Sequence, residues 1–424
     1  MNPLLGRADL AGRRVLVVGL ARSGMAAADV LVRAGAWVVG YDRNDSLEVG
    51  RLADLGVELH LGREEERLLQ GIELVVKSPG VPGETMLVQG ARARGISVWS
   101  EIELGARMLS NPILGVTGTN GKTTTSELLG AVFRASSRPV EVAGNVGRPL
   151  TSLVGSVADD AWIVCELSSF QLEDVDTLEP KVGVLLNLEP DHLDRHGSLD
   201  AYATTKLRMF DRQTANDTAI VPRGFRAIPG VAQRVEFAGD DELPAEPLIP
   251  GPHNRENAAA ATAAARAAGI DDDAIAVALR TFEGVPHRIE LVRELRGVRY
   301  VNDSKGTNVA ATLRALASFP EARLHVILGG LGKNEPYEPL AAAFKAGDAG
   351  YVIGASGEEI ARALEAAGVS VTRAGTLDAA LAASVAAAGP SDVVILSPAC
   401  ASFDQFRDFE ARGDAFRALV RELT

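Results

Sequence analysis

Cysteine is nearly absent from this chain: two in 424 residues, Cys165 and Cys400, far apart. Both have apolar or small neighbours. That excludes a disulfide framework and points to buried thiols in a reducing compartment. Basic charge is also in deficit, with 43 Lys and Arg against 56 Asp and Glu, a formal charge of −13. A nucleic-acid partner would favour a basic face, so none is expected. Anionic small ligands remain open, because local loops and lysines bind phosphate inside acidic proteins. No apolar run reaches the roughly 18 residues of a membrane span. Arg7, Asp9, Arg13 and Arg14 interrupt the opening apolar residues, unlike a secretory signal. A cytoplasmic enzyme without membrane insertion is the expectation. Long repeats and low-complexity linkers are missing too, beyond an alanine bias.

What is present is a phosphate-binding signal at residues 113–126, ILGVTGTNGKTTTS. The apolar run reads as a buried strand, the glycines as a tight loop, and the threonines as the start of a helix. Such a loop points backbone N–H groups at one anion, and the helix end adds positive potential. Lys122 adds a mobile charge, and the Thr123 hydroxyl suits a magnesium ion. The strict P-loop pattern is not met. Position 116, where it places its first glycine, is Val, and Gly115 and Gly118 serve instead.

Upstream, RVLVVG (14–19), a turn, a helix to about Ala34 and AWVVGYD ending at Asp42 form a strand–helix–strand unit. An acidic residue after the second strand is a feature of dinucleotide-binding folds. The glycine fingerprint is incomplete, since Gly19 and Gly24 flank Ala21. A domain holding another nucleotide's phosphates fits at least as well as one for NAD. Arg43 is either a phosphate contact or a surface charge. Ser78 and Gly80 follow the strand ELVVK, beyond the strand end where open α/β sheets keep ligands. SEIELGARML reads as an amphipathic helix, and the first domain boundary falls there.

Two strands follow the loop. AWIVCE ends at Glu166, with Ser168 and Ser169 next. KVGVLLN leads to Asp191, His192, Asp194 and His196. Carboxylate, hydroxyl and imidazole at strand ends suit a metal–phosphate site. Lys206, on a helix, reads from composition as a solvated charge. In the helix of residues 251–269, Asn254 and Asn257 share one face, and Asn254 could equally cap it. GVPHR (284–288) reads as a linker and second boundary. From 298 onward strands alternate with helices, which indicates a parallel sheet. Its strand ends carry Asp303 to Asn308, Gly329 to Lys333, and Ser397 to Ser402, suited to an anionic small molecule.

In order, GVTGTNGKTT, GNVG, CELSSFQL, LNLEPDHLDRHG, YATTKLRMF, HNREN, HRIE, VNDSKGTN, LGGLGK and LSPACASFDQF resemble the Mur ligase family over nearly the whole chain. The resemblance implies an α/β chain of three domains. These are an N-terminal Rossmann-like UDP-binding domain (1–99), a central P-loop ATPase-like parallel sheet (100–284) and a C-terminal Rossmann-like amino-acid-binding domain (285–424). The short first domain and the ending SPACASFDQFRDFEARG resemble members that add D-glutamate to UDP-N-acetylmuramoyl-L-alanine. That implies ATP-dependent amide formation through an acyl phosphate, by a monomer acting on small molecules.

The implied UDP-substrate residues are Gly19, Ser23, Asp42, Arg43, Ser78, Gly80, Asn145 and Ser168. ATP is expected on Gly118, Thr119, Asn120, Gly121, Lys122, Thr123 and Thr124, with Asn257, Arg288 and Asp303 for adenine, γ-phosphate and ribose. Two magnesium ions are expected at Thr123, Glu166, His192 and Lys206, the lysine as a carbamate. With Lys122, the last three form the catalytic set. D-Glutamate is expected at Lys305, Thr307, Lys333, Ser402 and Phe409, where cations, hydroxyls and an apolar wall suit a dicarboxylate. His287 is expected to be only a neighbour. Arg22 and Ser23 depart from the smaller or apolar neighbours expected in the first turn, and the stretch after Lys333 is more acidic than the resemblance suggests. Three alternatives remain: another amino-acid-adding or folylpolyglutamate-type ligase, an NAD oxidoreductase built on residues 14–42, and a nucleotide-gated module without chemistry.

Overall fold

The computed structural model describes residues 10–332 and 335–424, the side chains of 193 and 194 excepted. The apolar runs become three sheets. The first comprises β1 (Arg14–Val18), β2 (Trp37–Asp42), β3 (Glu58–Leu61), β4 (Leu74–Lys77) and β5 (Ser97–Ser100), in the order β3-β2-β1-β4-β5. The second comprises β6 (Ile113–Thr117), β7 (Val140–Gly144), β8 (Trp162–Glu166), β9 (Val182–Leu185), β10 (Thr218–Pro222) and β11 (Gln233–Phe237), in the order β11-β10-β9-β6-β8-β7. Both are wholly parallel. Helices cover both faces of such sheets, so inner strands such as β1 and β6 read as unbroken apolar runs. These two sheets belong to one compact unit, which runs to Pro247 and resumes over His253–Thr281.

A second unit, Leu248–Pro252 and Phe282–Thr424, holds the third sheet. Its strands are β12 (Glu290–Leu295), β13 (Val298–Asn302), β14 (Leu324–Gly329), β15 (Ala349–Ile353), β16 (Ser370–Gly375) and β17 (Val393–Leu396), in the order β12-β13-β17-β14-β15-β16. Only β12 runs antiparallel, against β13. The periodicity reading overlooked β12, a partly exposed edge strand of mixed polarity. Arg296 and Gly297 join it to β13, both with positive φ, as tight hairpin turns require.

In each unit the loops at the carboxyl ends of the strands hold the chemistry-bearing residues. The first sheet reverses its winding between β1 and β4, the point where ligands bind in such sheets.

The helix Glu101–Met108 begins as expected, with Ser100 accepting from the Glu103 amide. Its acids do not face water, however. Glu101 and Glu103 are fully buried. Glu103 accepts from Thr177 and Arg107. Glu101 accepts the amide and hydroxyl of Thr151 through Oε1, while Oε2 has no partner. Burial pushes the Glu101 carboxyl up from 4.5 to about 7, against the Thr151 hydrogen bonds that lower it. A carboxyl with a raised folded pKa contributes its full stability below its unfolded pKa and loses it as pH rises through the folded value. The shift corresponds to about 3 kcal/mol. Glu101→Gln keeps an acceptor for Thr151 and abolishes the titration. Its stability advantage over the native chain should therefore widen from pH 5 to pH 9 in thermal melts. A gap independent of pH would refute the assignment.

Candidate functional site

The loop after β6 is built as an anion cradle. Gly118 and Gly121 both take positive φ, and Gly121 is the left-handed cap of the helix Lys122–Ala135. A Cβ at Gly121 would stand 2.2 Å from Asn257 Oδ1, so Asn257 lies directly on the loop. Asn254 is inside the helix Pro252–Ala267 and buried beside it in sequence. It is not the cap; the helix begins two residues earlier. Asn187, just past β9, accepts from the Asn120 amide at 2.9 Å and donates to its carbonyl at 3.2 Å. Thr119 and Asn120 also bond Glu189. Thr123 and Thr124 are buried at the helix start. Lys122 Nζ donates to the carbonyls of Gly118 and Thr119, both at 2.9 Å.

Lys206 is not solvated, in contrast to the compositional reading. It is 1% exposed, and its Nζ donates to the same Gly118 carbonyl at 2.8 Å. It also stands 4.7 Å from the centre of the Tyr202 ring. Burial, and then the charge of Lys122, lower its pKa to about 6. The amine is therefore mostly neutral at pH 7, which makes it a nucleophile rather than a cation. Asp191 and Glu166 act on it in the opposite direction. Glu166, at the end of β8, is buried and accepts from Asn145 Nδ2 at 3.0 Å. His192 is exposed at φ +50, with its ring 4.7 Å from that of Phe170. Among the described residues no three His, Cys, Asp or Glu side chains gather as a metal-holding group. An ion at this strand end would need a hydroxyl, phosphate oxygens or a modified lysine as well. The side chain of Asp194 lies outside the described residues.

A cleft of about 470 Å³ opens at the β1–β4 switch point. Gly19, Ser23, Asp42, Arg43, Ser78, Gly80 and Asn145 all line it; Ser168 does not. Two of these side chains already brace the cleft's own backbone. Asp42 accepts from the Leu20 amide at 2.7 Å and the Asn44 amide at 2.9 Å. Ser78 Oγ donates to the Gly19 carbonyl at 2.7 Å. Gly19 has φ +87, and a Cβ there would meet Val81 at 2.7 Å.

Ser168 caps the short helix Ser169–Leu172, in a reciprocal box with Gln171. Gln171 was not singled out from sequence. It is fully buried, lines the cleft, and has no partner for its Nε2. Its only sequence signal was its place three residues after Ser168, the capping-box spacing. Arg22, one of the two departures in the first turn, also lines the cleft and reaches the Gly147 carbonyl at 3.1 Å.

In the second unit, Asp303 follows β13 and is buried. It accepts from Ser397 Oγ at 2.7 Å and the Ile289 amide at 3.2 Å. Burial pushes its carboxyl up to about 6. Arg288 has a buried Nε without a hydrogen-bond partner. His287 is more than a linker residue: Asn302 Nδ2 lies 3.0 Å from its Nδ1, and a Cβ at Gly413 would fall 2.1 Å from that atom.

Lys305 Nζ stands 5.7 Å from the Phe409 ring centre, and Thr307 and buried Ser402 sit in adjoining strand-end loops. Arg412, also overlooked, is 1% exposed. It donates to Ser304 Oγ and to the carbonyls of Ser304 and Cys400, tying these loops together. Lys333 lies outside the described residues. Both cysteines are free and buried, as expected.

Three family models match the chain in order. They are the Mur ligase MurD-like N-terminal domain over residues 13–100, the Mur ligase middle domain over 116–237, and the Mur ligase glutamate ligase domain over 287–400. The UDP-N-acetylmuramoylalanine–D-glutamate ligase of Acidobacterium capsulatum is 40% identical, covering 97% of each chain. That of Anaeromyxobacter dehalogenans is 42% identical over 98% of each. Among solved structures, the UDP-N-acetylmuramate–alanine ligase MurC of Thermotoga maritima matches with a TM-score of 0.60 at 18% identity, covering 96% of this chain and 99% of that one. MurF ligase of the same organism, in complex with ADP, matches with a TM-score of 0.57 at 18% identity over 100% of each. These structural likenesses show the fold.

Proposed function

This chain belongs to the Mur ligase family, and on that premise we infer that it is the ATP-dependent ligase that adds D-glutamate to UDP-N-acetylmuramoyl-L-alanine in peptidoglycan synthesis. The observation that carries this is likeness over 97–98% of the chain to relatives of that name. Among the described residues no helix is long and apolar enough to cross a membrane. In our reading the chain works as a cytoplasmic monomer on three small molecules.

The cleft at Gly19, Ser23, Asp42, Arg43, Ser78, Gly80 and Asn145 takes the UDP-linked substrate, with Gln171 in its wall and Ser168, outside the lining, capping the helix that carries Gln171. Asp42 and Ser78 act there by shaping the loop; Gln171 offers its unsatisfied amide. The triphosphate lies on the N–H groups of Gly118 to Thr124 with Lys122 beside it, and Asn257 faces the adenine. Arg288 and Asp303 serve the γ-phosphate and ribose, and domains 1–99, 100–284 and 285–424 divide the work. Lys305, Thr307, Lys333, Ser402 and Phe409 receive D-glutamate.

Thr123, Glu166, His192 and a carbamate on Lys206 would hold two magnesium ions. Oxygen donors suit that hard cation, and a neutral buried lysine is the form that adds CO2. Magnesium, when bound, offsets charge on the transferring phosphoryl group.

A carboxylate is a poor electrophile. Transfer of the γ-phosphoryl group to an oxygen of the L-alanine carboxylate releases ADP and makes an acyl phosphate. The D-glutamate nitrogen then bonds to that carbon and loses a proton, and the C–O bond to phosphate breaks. Positioning and charge neutralisation are what this asks of the protein; no side chain has to attack the substrate. Phosphate release should be measured with ATP, magnesium and the nucleotide-linked alanine, offering D-glutamate, L-glutamate, L-alanine or diaminopimelate. Only D-glutamate should support turnover. Equal or greater turnover with another amino acid would overturn the reading.

A further inference from the structure

One ion cluster joins three pieces of the first unit that are distant in sequence. Lys77 ends β4 with its side chain fully buried, its Nζ 3.1 Å from Glu173 and 3.0 Å from Asp174. It also donates to the Val81 carbonyl at 3.3 Å. Arg195, on the short helix Leu193–His196, forks onto Glu173 with N–H···O distances of 2.9 and 2.6 Å. It reaches the carbonyls of Pro79 at 3.4 Å and Val81 at 3.3 Å. Its guanidinium lies 4.1 Å over the Phe170 ring, whose neighbour is His192 at 4.7 Å.

Each arm of this clasp ends near the chemistry. Pro79 and Val81 line the cleft; Glu173 follows Gln171 by two residues, and Arg195 follows His192 by three. A surface role does not fit, because the side chains of Arg195 and Glu173 are only 12% and 18% exposed. Stability is a weak reason for such a cluster, since apolar packing of the same volume would hold the pieces as well. What a forked guanidinium adds is direction: it fixes orientation as well as distance.

We propose that Arg195, acting through Glu173 and Lys77, is a positioning residue that sets the loop of residues 78–82 in register with the strand end at His192. The proposal rests on the cleft being the site of the UDP-linked substrate. The acyl end of that substrate must meet the γ-phosphate while its nucleotide end is held by this loop. A small loop shift is thereby carried to the reacting atoms.

The test compares Arg195→Met, Arg195→Lys and the native enzyme. With Arg195→Met, kcat/KM for the nucleotide-linked substrate should fall on the order of 10²-fold, through both constants, while KM for D-glutamate stays native. Arg195→Lys should recover part of the loss, as it reaches one oxygen but neither forks nor stacks. Hydrogen exchange of the unliganded protein should accelerate together in residues 78–84 and 187–192 of Arg195→Met. Native kinetics, or equal losses for every substrate with unchanged exchange, would overturn the proposal. If the native enzyme fails to ligate, the functional reading falls, and the exchange result still decides the clasp. Should Arg195→Met not fold, Glu173→Gln, which keeps the shape and weakens the fork, takes its place in both measurements.

Discussion

Lys122→Ala should lose about 10²–10³-fold or more of the ligation rate and keep its fold. The loss follows from where the ammonium stands. It lies on two loop carbonyls at 2.9 Å, at the start of a helix whose N–H groups face the same space. A triphosphate entering that space competes for the ammonium and draws it from neutral carbonyls to phosphate oxygens, a charge-assisted contact. Since phosphoryl transfer is catalysed mainly by positioned charge, removal acts on kcat, and KM for D-glutamate should stay native. The fold should survive because the loop is held by other bonds: Asn187 to Asn120, and Thr119 and Asn120 to Glu189. Phosphate release and thermal melting on the same preparation decide the matter. Substantial residual turnover in a folded variant would remove Lys122 from the phosphate site.

The legible parts were those in which one short segment does one job. The phosphate loop is contiguous, so its strand, glycines, lysine and threonines could be read together. The switch-point cleft was legible for a related reason, since each of its loops follows a strand that reads as an apolar run. Gln171 and Arg412 were not legible. Their roles come from partners distant in sequence: the cleft wall for Gln171, and two strand-end loops for Arg412. Glu101 and Glu103 were not legible either. The stretch reads as an amphipathic helix, and only the packing of residues 151 and 176–177 shows that these two acids are dry. The edge strand β12 escaped because its alternation is blurred by partial exposure on both faces.

Composition carries a further hint that becomes readable beside the structure. The 43 basic residues include only seven lysines. Arginine takes most of the exposed pairings, as in Arg223 with Asp240 and Arg373 with Glu365, with Lys181 beside Glu179 an exception. At the phosphate loop lysine has a role that arginine could not fill. Lys122 and Lys206 converge on one carbonyl, and two full charges at that distance repel. Burial decides which of them gives up its proton, a choice arginine does not have at neutral pH.

Lys206→Ala should therefore lose activity on a scale comparable with the Lys122 variant, about 10²-fold or more, for a different reason. In our reading this residue acts as an oxygen ligand formed from a neutral amine and CO2, so an external carboxylate can occupy the vacated space. Acetate or formate should restore part of the lost turnover in Lys206→Ala and none in Lys122→Ala, where no carboxylate is missing. Folding should tolerate the change. Alanine leaves a cavity at a fully buried position, a destabilising term, but it also removes an amine whose charged form burial disfavours. The two effects oppose each other. Far-UV circular dichroism and melting establish that the variant is folded, and a titration of acetate against phosphate release tests the assignment. Native turnover without added acid would show that no carbamate is needed. Equal rescue of both lysine variants would show that the acid acts elsewhere.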